Sequence, residues 1–387
     1  MPTDIELLIL GGGCAGLSLA MQLARFDERI PKTLILEQRS RYKNDRTWCF
    51  WGDEKTPFAA LASHRWRAVS VANSDKTVRV ECASSSYRML ASDHFYSAAV
   101  EALSKTSKIQ LQMDSQLLSE PQFKDGRWNV QTSNGAFSSA MVVDTRPTAP
   151  VANDSALMWQ SFLGQEIECL QPVFEPGCVE LMSFSSASPD RIAFTYVLPL
   201  SSTRALIEFT VFAISRYSAQ SLSADLTVAI EQRVQGAVFA VLRSEQGVLP
   251  MGLTPAITAT SEHDNAPTYA HVGLFAGAAR PATGYAFQRI QRWAEHCAAR
   301  IAAGGLPLVH AKDPWLLAQM DRLFLSVLQR QPQLAPQMFV DLFTHVASQR
   351  VIRFLSDQAH YSDYLAIVMA LPFRPFLRQL FRSSSWH

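Results

Sequence analysis

Residues able to do chemistry stand closest together at the start of the chain. Gly11, Gly13 and Gly16 keep the spacing G-x-G-x-x-G between the apolar run 5–10 (IELLIL) and residues 15–26, which are apolar at helical spacing. Gly11 permits a tight turn, and Gly13 lets the main chain approach a pyrophosphate. Gly16 lets the helix pack close to the strand, with Cys14 and Ala15 completing the turn. The helix N-terminus offers N–H groups and positive dipole to phosphate. Glu37 closes a second apolar run, 33–37 (TLILE), where a carboxylate bonds ribose hydroxyls. An acid there disfavours a 2′-phosphate, so the pattern predicts FAD or NAD rather than NADP. Two later segments favour FAD. Residues 141–146 (MVVDTR) put Asp144 after a buried strand; residues 272–284 (VGLFAGAARPATG) read as a strand, a turn with Gly277, Thr283 and Gly284, and a helix. In many FAD proteins such a segment closes over the ribityl chain and flavin. The acid usual there is absent, Phe275-Ala276-Gly277 standing in its place, which leaves main-chain contacts to substitute.

These residues need a frame to hold them. Strand, glycine turn, helix and strand make a parallel βαβ unit. Further strands are predicted at 68–71, 78–81 and 108–113, with tight hairpins at Asp125-Gly126 and Asn134-Gly135. From 159 to 250 the chain reads mostly as strands, with one amphipathic helix near 223–238. After Pro281 it reads as helical, broken by Pro307, Pro314, Pro332, Pro336, Pro372 and Pro375. The expected fold class is α/β: a discontinuous Rossmann-like nucleotide domain over 1–150 and 265–305, an antiparallel-sheet substrate domain over 151–264, and a helical region over 306–387.

Composition narrows the partners. Net charge is +1 with 18% charged residues and no polybasic tract, so nucleic acid is not an expected partner. The low charge fits either a greasy substrate or membrane surface, or a large core with a modest surface. Six scattered cysteines without a CxxC pair or a histidine cluster predict neither disulfide framework nor metal site, and a reducing cytoplasm. The start of the chain lacks a basic region and a cleavage site, so no signal peptide is expected. Nor is any uncharged apolar run of about eighteen residues present, so no membrane-spanning helix is expected.

Five strings then fall in a familiar order: 44–51 (NDRTWCFW), 162–166 (FLGQE), 196–201 (YVLPLS), 205–210 (ALIEFT) and 283–287 (TGYAF). In this order the chain resembles the flavin-dependent lycopene β-cyclases of bacteria and plants, over essentially its whole length. The resemblance implies the hydroxylase-type FAD fold shared with geranylgeranyl reductases. It implies a redox-neutral reaction in which reduced FAD, charged by NAD(P)H, acts electrostatically. A carboxylic acid protonates the terminal double bond of lycopene, the cation closes a ring, and loss of a neighbouring proton leaves a β-ionone ring, giving β-carotene through γ-carotene.

The resemblance also assigns residues. Glu208 matches the family's acid; it follows Ala205-Leu206-Ile207 on a predicted strand, where burial would let it arrive protonated. The alternative is a strand-edge glutamate facing solvent. Arg46 and Thr47 match a segment near the flavin. Trp48 and Trp51 either line the polyene channel or pack the core, and Tyr285 and Phe287 would lie near the isoalloxazine, with plain helix core as the alternative for Phe287. Phe209, a further substrate-facing residue, stands where many members carry a second acid, and Ser183 where the family has aspartate. Arg280 either faces the pyrophosphate or is solvated. Lycopene is water-insoluble, so the apolar tail 364–381 is expected to meet a membrane surface peripherally, or else to cover the channel mouth. Two other functions stay open: a flavin-dependent hydroxylase or reductase of an isoprenoid or aromatic, and a non-catalytic carotenoid- or flavin-binding protein.

Overall fold

The computed structural model describes residues 3–82, 85–147, 156–185, 187–253 and 266–383. Its first sheet contains the βαβ unit. Strand Thr3–Leu10 pairs in parallel with Thr33–Leu36 on one side and Gly135–Asp144 on the other. Central parallel strands must be covered on both faces, which is why Leu7, Leu8, Ile9 and Leu10 are all buried. Helix Cys14–Leu23 packs against helix Phe287–Ala302 on one face, and Trp128 and Tyr269 fill the other. The helix is shorter than its apolar pattern, continuing as a 3₁₀ stretch over Ala24–Arg29. Both hairpins form; Asp125 and Gly126 take the positive φ values, 54° and 78°, that a two-residue turn requires.

The second sheet runs, in hydrogen-bonded order, Phe239–Leu253, Ala156–Cys169, Arg204–Ala213, Ile192–Pro199, Cys178–Ser183, Ala68–Ala72, Thr77–Glu81. The last two strands come from within the first 150 residues, so this sheet crosses the expected boundary. Ala68, Val69 and Val71 are buried, and pairing with Cys178–Ser183 supplies the cover they need. One face packs on helix Ala219–Val234. This helix starts and stops four residues before the predicted 223–238: the Ser218 hydroxyl caps its first turn, and Gln235 and Gly236 end it at positive φ.

The opposite, inner face looks toward a three-stranded sheet, Thr47–Gly52, Ser86–Ala91 and His64–Trp66, wedged between the larger sheets. Helices Trp315–Arg330, Ala335–His345, Ser348–Leu355 and Tyr361–Ala370 complete the same core. Pro336 and Pro375 do not break helices; they sit in first turns, where a missing N–H costs nothing.

Candidate active site at the junction of the sheets

The glycine turn has the shape its sequence predicts. Gly11 takes φ +97°, and a Cβ on Gly16 would land on the Gly11 carbonyl oxygen and press on Ile9. A Cβ on Gly13 would meet nothing within 4 Å. Helix Cys14–Leu23 has no side-chain cap and no acid in its first turn, so no side chain there competes for its first N–H groups. Burial pushes the Cys14 thiol up to about 12, leaving it neutral there. Glu37 is 4% exposed and accepts hydrogen bonds from the Gly12 N–H (2.8 Å), the Arg39 N–H (2.8 Å) and the Arg39 Nε (3.0 Å). Burial alone would raise its carboxyl; these donors more than offset that and hold it below its usual value. Arg46 has an exposed side chain whose charge reaches Cys14, and its N–H is fixed by the Ser92 hydroxyl. Asp144 ends its strand opposite Leu10, but its carboxylate is taken by Arg146 (2.7 Å) and the Tyr269 hydroxyl (2.6 Å).

The segment 280–285 brings this turn toward the second sheet. Gly284, at φ +69°, lies where a Cβ would stand 3.0 Å from Gln160 Oε1, a buried oxygen without a hydrogen-bond partner. Thr283 steadies the loop by accepting the Tyr285 N–H (3.2 Å). Gly277, also at positive φ, sits beside His310, whose Nε2 accepts the Gly273 N–H (2.9 Å). Burial and the nearby Arg289 hold His310 down at about 4, in keeping with a neutral acceptor. Arg280 follows neither expectation. It is 1% exposed, its guanidinium bridges to Asp321 (3.1 Å), and it donates to the Phe354 carbonyl. It thereby ties the loop carrying Gly284 and Tyr285 to the helical region.

Strand Thr47–Gly52 divides its side chains by simple alternation. Trp48 and Phe50 point into the nucleotide core, both stacked on Phe287 (5.6 and 5.3 Å). Thr47, Cys49 and Trp51 point to the second sheet. Trp51 meets Tyr87 (4.5 Å) and Tyr285, Tyr87 shares a hydrogen bond with Tyr196 (3.1 Å), and Cys49 lies by Tyr196 and Glu208.

Across the second sheet, register places Tyr196, Glu208, Gly164 and Glu245 side by side on four adjacent strands. A Cβ on Gly164 would stand 2.6 Å from Glu208 Cγ, so the glutamate lies directly over the glycine. Thr47, Cys49, Tyr196, Glu208 and Tyr285 all keep some accessible surface although protein encloses them, as expected of side chains lining an internal space. Burial first, and then the Glu245 charge and hydrogen bond, push the Glu208 carboxyl well above its usual value. Glu245, 6% exposed, accepts from the Thr47 hydroxyl (2.7 Å) and from Arg243. Arg243 also holds Glu166 (2.6 Å), which Arg204 holds from the other side (2.6 Å).

Several expected positions are thus corrected. Glu208 is no strand-edge residue facing solvent. Phe209 points to the other face of its strand, against helix Ala219–Val234, because neighbours on a strand alternate. Trp48 and Phe287 belong to the core of the first sheet, leaving Trp51 as the one of the four named aromatics that lies on the Glu208 side. Ser183 is paired with Thr195 and accepts from Arg233 (3.0 Å) on that same outer face, away from Glu208. Gly164, Glu245, Tyr87 and Tyr196 were not singled out by sequence, although Gly164 and Tyr196 lie within the strings FLGQE and YVLPLS.

Two layers define the class: a glycine-turn nucleotide sheet and an antiparallel sheet whose inner face carries a buried acid. Among solved structures, a geranylgeranyl bacteriochlorophyll reductase-like protein from Thermoplasma acidophilum aligns over 99% of this chain and all of its own, at TM-score 0.62 and 13% identity. The flavin-dependent monooxygenase PieE aligns over 96% of this chain and 72% of its own, at TM-score 0.58 and 13% identity. The fold is therefore that of the hydroxylase and geranylgeranyl-reductase group. Residues 6–381 match the family model described as "Lycopene cyclase protein", and the chain belongs to that family. A lycopene beta-cyclase of Pseudescherichia vulneris is 29% identical over 78% of this chain and 76% of its own; one of Pantoea ananas is 26% identical over 98% of each.

Proposed function

We propose that this protein is a lycopene β-cyclase, closing the acyclic ends of lycopene to β-ionone rings without net redox change. The observation that supports this most is Glu208, an acid of raised proton affinity set among aromatic rings at the junction of the sheets. The residues at the glycine turn fit a dinucleotide: the space over Gly13 would admit a pyrophosphate, the N–H groups of Cys14, Ala15 and Gly16 would bind it, and Glu37 would hold the ribose hydroxyls. Arg46, Thr47, Gly277, Thr283, Gly284 and Tyr285 would complete the site, with Asp144 acting through Arg146 and Tyr269. Reduced FAD, charged by NAD(P)H, supplies negative charge beside the reacting end when bound.

Glu208 gives its proton to the terminal double bond: its O–H bond breaks, a C–H bond forms, and the electron pair stays on the carboxylate. The cation so formed is attacked by the neighbouring double bond and the ring closes. A C–H beside the new cation then releases its proton, which recharges the acid, so no proton is consumed over the cycle. The faces of Trp51, Tyr87, Tyr196 and Tyr285 offer π-density to the cation. Their packing also excludes water, which would capture the cation as an alcohol.

The substrate dissolves in lipid. Helix Tyr361–Ala370 turns Ile367 inward and presents Tyr361 (84% exposed), Leu365, Val368 and Met369 (77%) outward at i, i+4, i+7 and i+8; Phe373 and the exposed Arg374 and Arg378 follow. An apolar stripe edged by arginines suits a membrane surface, and this face is proposed as the peripheral contact. No helix among the described residues is long and apolar enough to cross a membrane. Expression in lycopene-accumulating cells tests the function. Wild type should yield β-carotene and Glu208→Gln should leave lycopene; consumption of one NAD(P)H per product would instead mark an oxidoreductase.

A further inference from the structure

We infer that Glu245 is the positioning partner of Glu208: over Gly164 the two carboxyls share one proton, and Thr47 and Arg243 direct it to Glu208. The use of that proton rests on the cyclase reading above; the existence of the pair does not.

The register makes the pair. Gly164 lies on the strand between the two glutamates and is opposite both of them. Any larger residue there would part them, since even a Cβ would press on Glu208 Cγ at 2.6 Å. The Glu245 side chain reaches hydrogen-bonding range of the Glu208 carboxyl; two like charges enclosed that close repel, so one proton held between them joins the pair. Which one keeps it is decided by donors. Glu245 receives the Thr47 O–H at 2.7 Å and the Arg243 guanidinium, contacts that serve a carboxylate. Among the described hydrogen bonds none is donated to Glu208 by a protein N–H or O–H. Arg243 cannot drift from this task, because Glu166 fixes its Nε at 2.6 Å and Arg204 fixes Glu166. Of the other titratable groups facing Glu208, Arg243 stays charged and pulls its carboxyl down, by less than burial and Glu245 push it up; burial keeps the rest neutral, pushing the Cys49 thiol up to about 12 and the Tyr196 hydroxyl well above its usual range. The two carboxyls are thus the pair that exchanges protons at this site, and the arrangement keeps Glu208 loaded at a pH where a solitary glutamate has lost its proton.

The test is the pH dependence of kcat/KM for the flavin-loaded, reduced enzyme. Cyclisation needs Glu208 protonated, so the rate falls as pH rises through its folded pKa. In Glu245→Gln that pKa drops, and the alkaline limb moves at least one pH unit toward acid, about tenfold lower rate at a fixed pH on the limb. Glu245→Asp, which keeps the charge, restores most of the limb. A second readout needs no turnover. Glu208→Gln should raise the thermal midpoint at pH 8, and this gain should shrink by about half or more in the Glu245→Gln background. If Glu245→Gln does not fold, Gly164→Ala carries the same test and moves the limb the same way. An alkaline limb left in place, together with an unchanged gain in the thermal cycle, overturns the pair. Wild type that leaves lycopene untouched while the thermal cycle still shows coupling would overturn the cyclase reading alone.

Discussion

Glu37, just past the end of a strand of the first sheet, and Glu208, in the middle of a strand of the second, are both enclosed glutamates, yet the protein drives them in opposite directions. Glu37 is surrounded by donors, from Gly12 and Arg39, and is held as a carboxylate at the nucleotide turn. Glu208 is surrounded by apolar and phenolic groups and by another glutamate, and is held as an acid. Burial acts on both in the same sense, so burial does not choose the charge state. The number of N–H and O–H groups aimed at each carboxyl does. One molecule thereby holds one buried glutamate as an anion beside its first sheet and another as an acid in its second.

The comparison is broken most severely by Glu208→Gln, which keeps shape and removes the proton: cyclisation should fall by about 10²–10⁴-fold, measured as β-carotene formed by reduced holoenzyme. Glu37→Gln should leave the acid intact and weaken FAD retention about tenfold or more, read by flavin fluorescence on titration. The two variants should also change stability with opposite sign. Glu208 has a folded pKa above its unfolded value of about 4.5, so from there upward, until its folded pKa is passed, the native state holds a proton the unfolded chain has lost and stability declines with pH. Glu208→Gln removes that decline and should raise the thermal midpoint at pH 8. Glu37 has a depressed folded pKa; its contribution is present above about 4.5 and is lost as pH falls through the lower folded value. Glu37→Gln should therefore lower the midpoint at pH 7 and converge on wild type toward pH 3. The smallest effect belongs to Ser183→Asp. The new carboxylate meets Arg233 on the outer face, so the rate should stay within about twofold while a partly exposed ion pair adds at most about 1 kcal/mol.

The same pair shows what a sequence makes legible. Glu37 depends on a local unit: strand, turn, helix and strand in one continuous stretch, with glycine spacing fixed by close packing. That geometry could be read, down to the strained Gly11 and the crowded Gly16. The strand of Glu208 could also be read, and its apolar run pointed to burial. Its environment could not, because Gly164, Glu245 and Tyr196 come from three other strands that register alone brings beside it, and Thr47 from a strand of another sheet packed against them. Phe209 failed for the opposite reason. Adjacent residues in a motif look like one site, whereas strand alternation sends them to opposite faces. Arg280 was misjudged because its partners, Asp321 and the Phe354 carbonyl, lie in helices that no local pattern ties to its turn.

The most direct test of these opposite charge states is the infrared carboxyl C=O stretch at pH 7.5, compared among wild type, Glu208→Gln and Glu37→Gln. Wild type should show a protonated-carboxyl band that vanishes in Glu208→Gln and persists in Glu37→Gln. A wild-type spectrum without that band, or a band that survives Glu208→Gln, would contradict the account.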